Sequence, residues 1–156
     1  MLSVQERRVR LVKAGYEPLP CVGKIPALAG WQAITINVDT PASWSDIYPC
    51  ATNTGIRTRR TPAVDIDVRD PVIADLLESA LRSYFPNGQL LVRIGMPPKR
   101  LIPFRCETPF KKMAVSFKST DGVTHKVEVL GNGQQFIADG IHPDTGNLHG
   151  ATTLIS

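Results

Sequence analysis

TPAVDIDVRDP, residues 61–71, sets the reading of this chain. Its centre, Ala63-Val64-Asp65-Ile66-Asp67-Val68, resembles a buried strand with two carboxylates standing where apolar residues belong. Successive strand side chains point to opposite faces, so Val64, Ile66 and Val68 share one face while Asp65 and Asp67 share the other. Two like charges on one face repel and cost stability unless something neutralises them. Either the acids face solvent on an edge strand beside Arg60 or Arg69, or they hold a cation.

The segment KVEVL, residues 126–130, repeats the pattern: Val127 and Val129 face one side, and Glu128 faces the other with Lys126 and Leu130. If the two strands are neighbours in a sheet, Asp65, Asp67 and Glu128 converge. Hard divalent cations prefer carboxylate oxygens, so such a cluster suits Mg²⁺ or Mn²⁺. Two ions about 3.5–4 Å apart would clamp the attacking and leaving oxygens of a phosphoryl transfer.

Working outward, Asp70 as cap and Pro71 as first residue open a helix over 71–85, with Ile73, Leu76, Leu77, Ala80, Leu81 and Tyr84 as its apolar stripe. Pro86-Asn87-Gly88 ends it. A first helix is expected over 4–14, stopped by Gly15, and a short one over 41–48 with Thr40 as its cap. Extended segments are expected at 16–22, 53–58, 89–94, 101–104, 113–118, 126–130 and 135–138, with turns at 23–26, 121–122 and 131–133. The pattern is mixed α/β with several antiparallel strands, an α+β class, and 156 residues suit one domain spanning 1–156.

Hydrophobic residues at 42% and charged residues at 21% exclude a disordered chain, and a net charge of +4 is compatible with a phosphate-rich partner. The basic residues fall into groups, Arg7-Arg8-Arg10, Arg57-Arg59-Arg60, Lys99-Arg100-Arg105 and Lys111-Lys112, each of which reads first as a solvated face. Cys21, Cys50 and Cys106 have neither zinc nor disulfide spacing, so a reduced, cytoplasmic setting is expected. No run of 18 apolar residues exists, and no membrane association is expected.

The run NTGIRTRRTPAVDIDVRDP resembles the motif N-x-G-(V/I)-x-T followed by hydrophobic-Asp-hydrophobic-Asp of the bifunctional primase-polymerase domain, a member of the archaeo-eukaryotic primase superfamily common in phages and plasmids. GYEPLPCVGKIPALAGW is similar to that domain's opening block, RIGMPPKRLIPFR to the R-x-G-x-x-P-K-x-L-x-x-x-R segment of its phage branch, and HKVEVLGNGQQFIADGIHPDTG to its third motif region. Four blocks in order span roughly residues 15–146.

The resemblance implies a primase core in which an RRM-like antiparallel sheet carries Asp65, Asp67 and Glu128 as catalytic, metal-binding acids. It places Lys99 and Arg100 on triphosphate oxygens, and Arg93 beside them or on the template. His142 is implied at the nucleotide sugar or phosphate, and Lys24 as a phosphate-facing or turn lysine. Trp31 or Trp44 would stack a base or sit in the core. The implied partners are single-stranded DNA template, nucleoside triphosphates and a helicase domain or protein. The implied function is template-dependent nucleotidyl transfer that makes or extends primers in phage or plasmid replication.

Two departures stand out. The superfamily's Ser-x-His motif has no match between Asp67 and Glu128, where Ser116-Phe117-Lys118 carries a lysine instead. After Gly146 the family continues to an aromatic, Tyr then Trp, while this chain reads Asn147-Leu148-His149-Gly150 and stops at Ser156, which fits a shortened domain, a degraded one or a compact stand-alone form. These keep a catalytically inactive nucleic-acid-binding module as one alternative. A metal-dependent nuclease is the other, although Glu128-Val129-Leu130 has leucine where acid-x-Lys would be expected.

Overall fold

The structure is a computed structural model and describes residues 1–88, 90–141 and 144, and the backbone of 148–149. Ser3 opens α1 (Val4–Lys13) with a capping box: its hydroxyl accepts from the Glu6 amide, and the Glu6 carboxylate accepts from the Ser3 amide at 2.7 Å. The chain turns at Gly15 into β1 (Pro18–Val22), which folds back on β2 (Ile25–Pro26). A 3₁₀ turn (Thr40–Ser43) leads into α2 (Trp44–Ile47) and then β3 (Asn53–Arg57), β4 (Ala63–Asp67) and α3 (Pro71–Ser83). The remaining strands are β5 (Arg100–Pro103), β6 (Met113–Lys118), β7 (Thr124–Leu130), β8 (Gln135–Ile141) and β9 (Leu148–His149).

Among the described residues the strands form two antiparallel sheets, β2-β1-β3-β8-β9 and β5-β4-β7-β6. The α+β expectation holds, and the acidic strand is β4, at the interior of the four-stranded sheet. Asp70 caps α3 as its position implies, its carboxylate accepting from the Val72 and Ile73 amides at 2.9 and 3.1 Å.

The two faces of β4 have different fates. Val64 and Ile66 join Ile102, Val127 and the α3 residues Ala74, Ile73 and Leu77 in one core cluster. On the opposite face, Ala63, Leu101 and Leu130 pack against Ile56, Phe136 and Ala138 of the five-stranded sheet and Leu11 of α1. The second sheet covers only the Ala63 end of that face. Further along β4 the same face emerges from cover, and the acids stand there.

Several sequence expectations change, among them Leu76 and Tyr84 of the expected α3 stripe, which are exposed, and Ile25–Pro26 of the expected turn, which form β2. Residues 41–48 are not one helix capped by Thr40; the Thr40 amide and hydroxyl are instead taken up by the Asn37 side chain, and a 3₁₀ turn precedes a single α-helical turn. The segment expected as a strand over 89–94 makes one isolated bridge, Arg93 to Leu101. Its alternation is nonetheless strand-like, with Leu90 and Val92 packed toward α3 and Leu91 toward the second sheet. Arg8 and Arg57, expected in solvated groups, are buried. Arg8 donates to Thr54 Oγ1, the Ala51 carbonyl and the Asn53 carbonyl, and burial lowers its pKa to about 10. Arg57 donates to the carbonyls of Trp31, Gln32 and Ile34 and pairs with Glu17 at 2.8 Å. Trp44 is buried beneath the Arg8 guanidinium, a core tryptophan.

Candidate functional site

Strand register builds the site. Asp65 lies directly opposite Glu128 on β7, and Asp67 lies opposite Lys126. On the other side of β4, Asp65 faces Leu101, which in turn bridges to Arg93. Directly opposed residues share a face. One row across the sheet therefore reads Arg93, Leu101, Asp65, Glu128, Ala114, and the next contains Asp67, Lys126 and Ser116. The three sequence-predicted acids share one surface, called here the acid face.

Each acid has cations beside it. Lys99 Nζ stands 2.6 Å from Asp67 Oδ1, while Lys112 and Lys126 both reach Glu128 Oε1, at 2.7 and 2.6 Å. Burial, with Asp67 and Glu128 adding repulsion, holds the Asp65 carboxyl above the ordinary aspartate value despite the pull of Arg93 and Lys99. Burial also pushes Glu128 upward, but its two lysines outweigh that and leave it below the usual glutamate value. Burial lowers Arg93, and the Asp65 charge partly offsets it.

A cleft of about 340 Å³ opens beside these acids. Asp65, Asp67, Arg93, Lys99 and Arg100 line it from the four-stranded sheet and its flanking loop, and Gln135, Phe136, Ile137 and Lys24 line it from the five-stranded sheet. Its floor is apolar, with Leu101, Leu130 and the Phe136 ring, over which the Arg93 guanidinium lies at 6.0 Å.

Motif residues that carry no charge hold this cleft together. Asn53 Nδ2 donates to the Gly23 and Ile141 carbonyls, and Gln135 Nε2 donates to the Lys24 carbonyl at 2.8 Å, so both fix the turn that presents Lys24. A Cβ on Gly55 would stand 2.5 Å from Gln135 Oε1 and 3.0 Å from Cys21 Sγ, which accounts for glycine there. Lys24 itself pairs with Asp144 at 3.3 Å across an exposed rim.

Arg100 borders the cleft, but its guanidinium is on the opposite side of the sheet from the acids. Arg100 pairs in register with Ile66, on the α3 face, and binds Asp75 at 2.9 Å and Glu78 at 3.2 Å of that helix. His142 lies outside the described residues. In sequence Lys112 reads only as part of a basic pair; no sequence signal links it to Glu128, whereas Lys126 is placed on the acid face by alternation alone.

His125, Ser119 and Asp121 form a hydrogen-bonded set at the β6–β7 hairpin. The Arg69 amide donates to His125 Nδ1, so Nε2 carries the proton and donates to Ser119 Oγ, which donates to Asp121. A serine that donates to aspartate while accepting from histidine is not activated as a nucleophile. The set is structural.

Three carboxylates on one face are a donor set that fits Mg²⁺ or Mn²⁺. Among the described residues no three acidic, histidine or cysteine side chains stand together as metal ligands, and lysine ammonium groups contact Asp67 and Glu128. No described helix is long and apolar enough to cross a membrane. A comparison with curated proteins found no match. Residues 8–150 match the family described as bifunctional DNA primase/polymerase, N-terminal, a span that takes in both sheets and the whole acid face, and the chain belongs to that family.

Proposed function

We propose that the chain is a template-dependent nucleotidyltransferase that makes or extends primers on single-stranded DNA, with Asp65, Asp67 and Glu128 as ligands of two Mg²⁺ or Mn²⁺ ions. The observation that carries this reading is the register: Asp65 opposes Glu128 directly, Asp67 shares their face, and a cationic cleft adjoins them. When bound, the ions would neutralise the acids and polarise the reacting phosphate.

The chain's own residues position the substrates. Lys99 and Arg93 sit where a triphosphate would meet the acids, one as a mobile point charge and the other as a buried fork. Lys24 is presented from the second sheet toward the same cleft and would meet the outer phosphates. Leu101, Leu130 and Phe136 offer the sugar or base an apolar part of the cleft lining. Arg100 serves this site as a tether, fixing β5 to α3 so that Lys99 is held at the rim. His142 is proposed at the nucleotide sugar or phosphate on the resemblance alone.

The lysine contacts to the acids also favour a second reading, in which the acids are neutralised permanently and the protein is a binding module without turnover. Primer extension on single-stranded template with Mg²⁺ or Mn²⁺, comparing the wild-type chain with Asp67→Ala, decides between them. Elongated product that disappears in Asp67→Ala is expected. Retained template binding without product in the wild type would establish the module, and shortened template would establish a nuclease.

A further inference from the structure

We propose that the outer edge of the four-stranded sheet, at β6, is the track for the nucleic-acid strand, held by Lys112, Lys118 and Lys126. This inference rests on the nucleotidyltransferase reading and assigns the surface for its polymeric substrate.

The acid face has two flanks of different shape. On the β5 side the five-stranded sheet walls the cleft, and about 340 Å³ suits a mononucleotide. On the other side β6 is an edge strand whose residues are almost all exposed. A polymer needs a run open at both ends, and β6 provides one.

The residues along that run are spaced for phosphates. Ala114 and Ser116 lie on the acid face opposite Glu128 and Lys126, and Lys118 follows on the same face opposite Thr124. Lys112, just ahead of the strand, reaches the face to contact Glu128. The edge therefore presents lysine, alanine, serine, lysine over about 20 Å at strand rise, with Lys126 one strand inward. Ala114 and Ser116 are small and exposed, so a chain can lie between the lysines without obstruction. The 110–112 segment is held in place by the Asn132 amide, which donates to the Phe110 carbonyl at 2.7 Å.

Charge points the same way. Lys112 and Lys126 share the single carboxylate of Glu128, and Lys118 makes no ion pair among the described residues. Among the described residues Glu128 is thus the one carboxylate in direct contact with any of these three ammonium groups, with Asp67 across from Lys126. If Glu128 is taken by a divalent ion, both of its lysines are released within side-chain reach of a bound strand, and phosphodiester oxygens become their natural partners.

The test is fluorescence anisotropy of a labelled oligothymidylate in Mg²⁺ across a KCl series, with Lys112→Ala, Lys118→Ala and Lys126→Ala and the three corresponding Arg variants. Each alanine variant is expected to weaken binding about three- to tenfold and to reduce the slope of log K against log salt by about 0.7, with arginine restoring both. Affinity for a nucleoside triphosphate, measured on the same proteins without template, stays unchanged in Lys118→Ala, which touches no acid among the described residues, and changes less than strand affinity in the other two. An unchanged salt slope in all three variants overturns the proposal, as does a loss of triphosphate affinity as large as the loss for the strand. Because no turnover is read, lysine-dependent strand binding in a protein that extends no primer removes the polymerase reading and leaves this surface standing. Extension with lysine-independent binding does the reverse.

Discussion

Replacing Asp65 by asparagine should stabilise the protein while abolishing nucleotide incorporation. Asp65 is half-buried on β4 and directly opposite Glu128, with Asp67 two residues along the same face. Like charges directly across a sheet are unfavourable by about 0.2–1 kcal/mol, and burial adds to that. The competing effect is Arg93, whose guanidinium loses the attraction of a nearby carboxylate; removing one partner of a buried ion pair can cost about 3–5 kcal/mol. The direction of the Asp65 shift decides between them. Its carboxyl is held above the ordinary value, so burial and repulsion together exceed the attraction of Arg93 and Lys99. Asparagine also keeps an oxygen acceptor, and Arg93 keeps its place over the Phe136 ring.

The expected gain is about 0.5–1 kcal/mol, which for a chain of this size raises the melting temperature by about 1–4 °C. A carboxyl raised in the folded state is still protonated there at pH values where the unfolded chain has ionised, so the folded state binds more protons and stability falls as pH rises through that window. The advantage of Asp65→Asn is therefore full at neutral pH and vanishes below the ordinary aspartate value of about 3.9, where both forms are neutral. Thermal unfolding in EDTA at those two pH values measures this, beside primer extension at neutral pH. A variant that melts lower than wild type at neutral pH would refute the argument and show that the Arg93 attraction dominates.

Gly140→Ala should destabilise by about 3–5 kcal/mol, because Gly140 has φ +124° and a Cβ there would overlap Asn53 Oδ1, displacing a side chain that makes three hydrogen bonds. Denaturant unfolding reads it directly, and a loss below about 1 kcal/mol would mean that Asn53 can move away cheaply. Arg100→Ala should cost about 1–2 kcal/mol through its contacts to Asp75 and Glu78, discounted for the exposure of Asp75. Its triphosphate KM should rise less than that of Lys99→Ala; the opposite ranking would return Arg100 to the nucleotide.

The acidic strand, its two faces and the face that Glu128 takes on its own strand are legible in the sequence because period-two alternation assigns faces without knowing the fold. Adjacency is what alternation leaves open, and β4–β7 pairing supplies it. The same limit explains residues 90–93: their alternating burial is right, but a ladder needs a partner along its length, and only Arg93 meets Leu101. The pair Lys99-Arg100 shows the limit at its sharpest. Neighbours on a strand face opposite ways, so one residue of register sends Lys99 to Asp67 and Arg100 to α3.

The division between arginine and lysine follows from what each group can do. Arg8 and Arg57 were illegible as fasteners because the carbonyls they satisfy, at 51 and 53 and at 31, 32 and 34, come from loops far away in sequence. A planar fork with five donors can close several such carbonyls at once, and having done so it cannot leave without orphaning them all. A lysine makes one mobile contact. Among the described residues the cations seen in direct contact with Asp67 and Glu128 are lysines, Lys99, Lys112 and Lys126, each partly exposed. Under the proposed two-metal reading, the acids would need counter-charges able to depart, and the lysines beside Asp67 and Glu128 are of that kind.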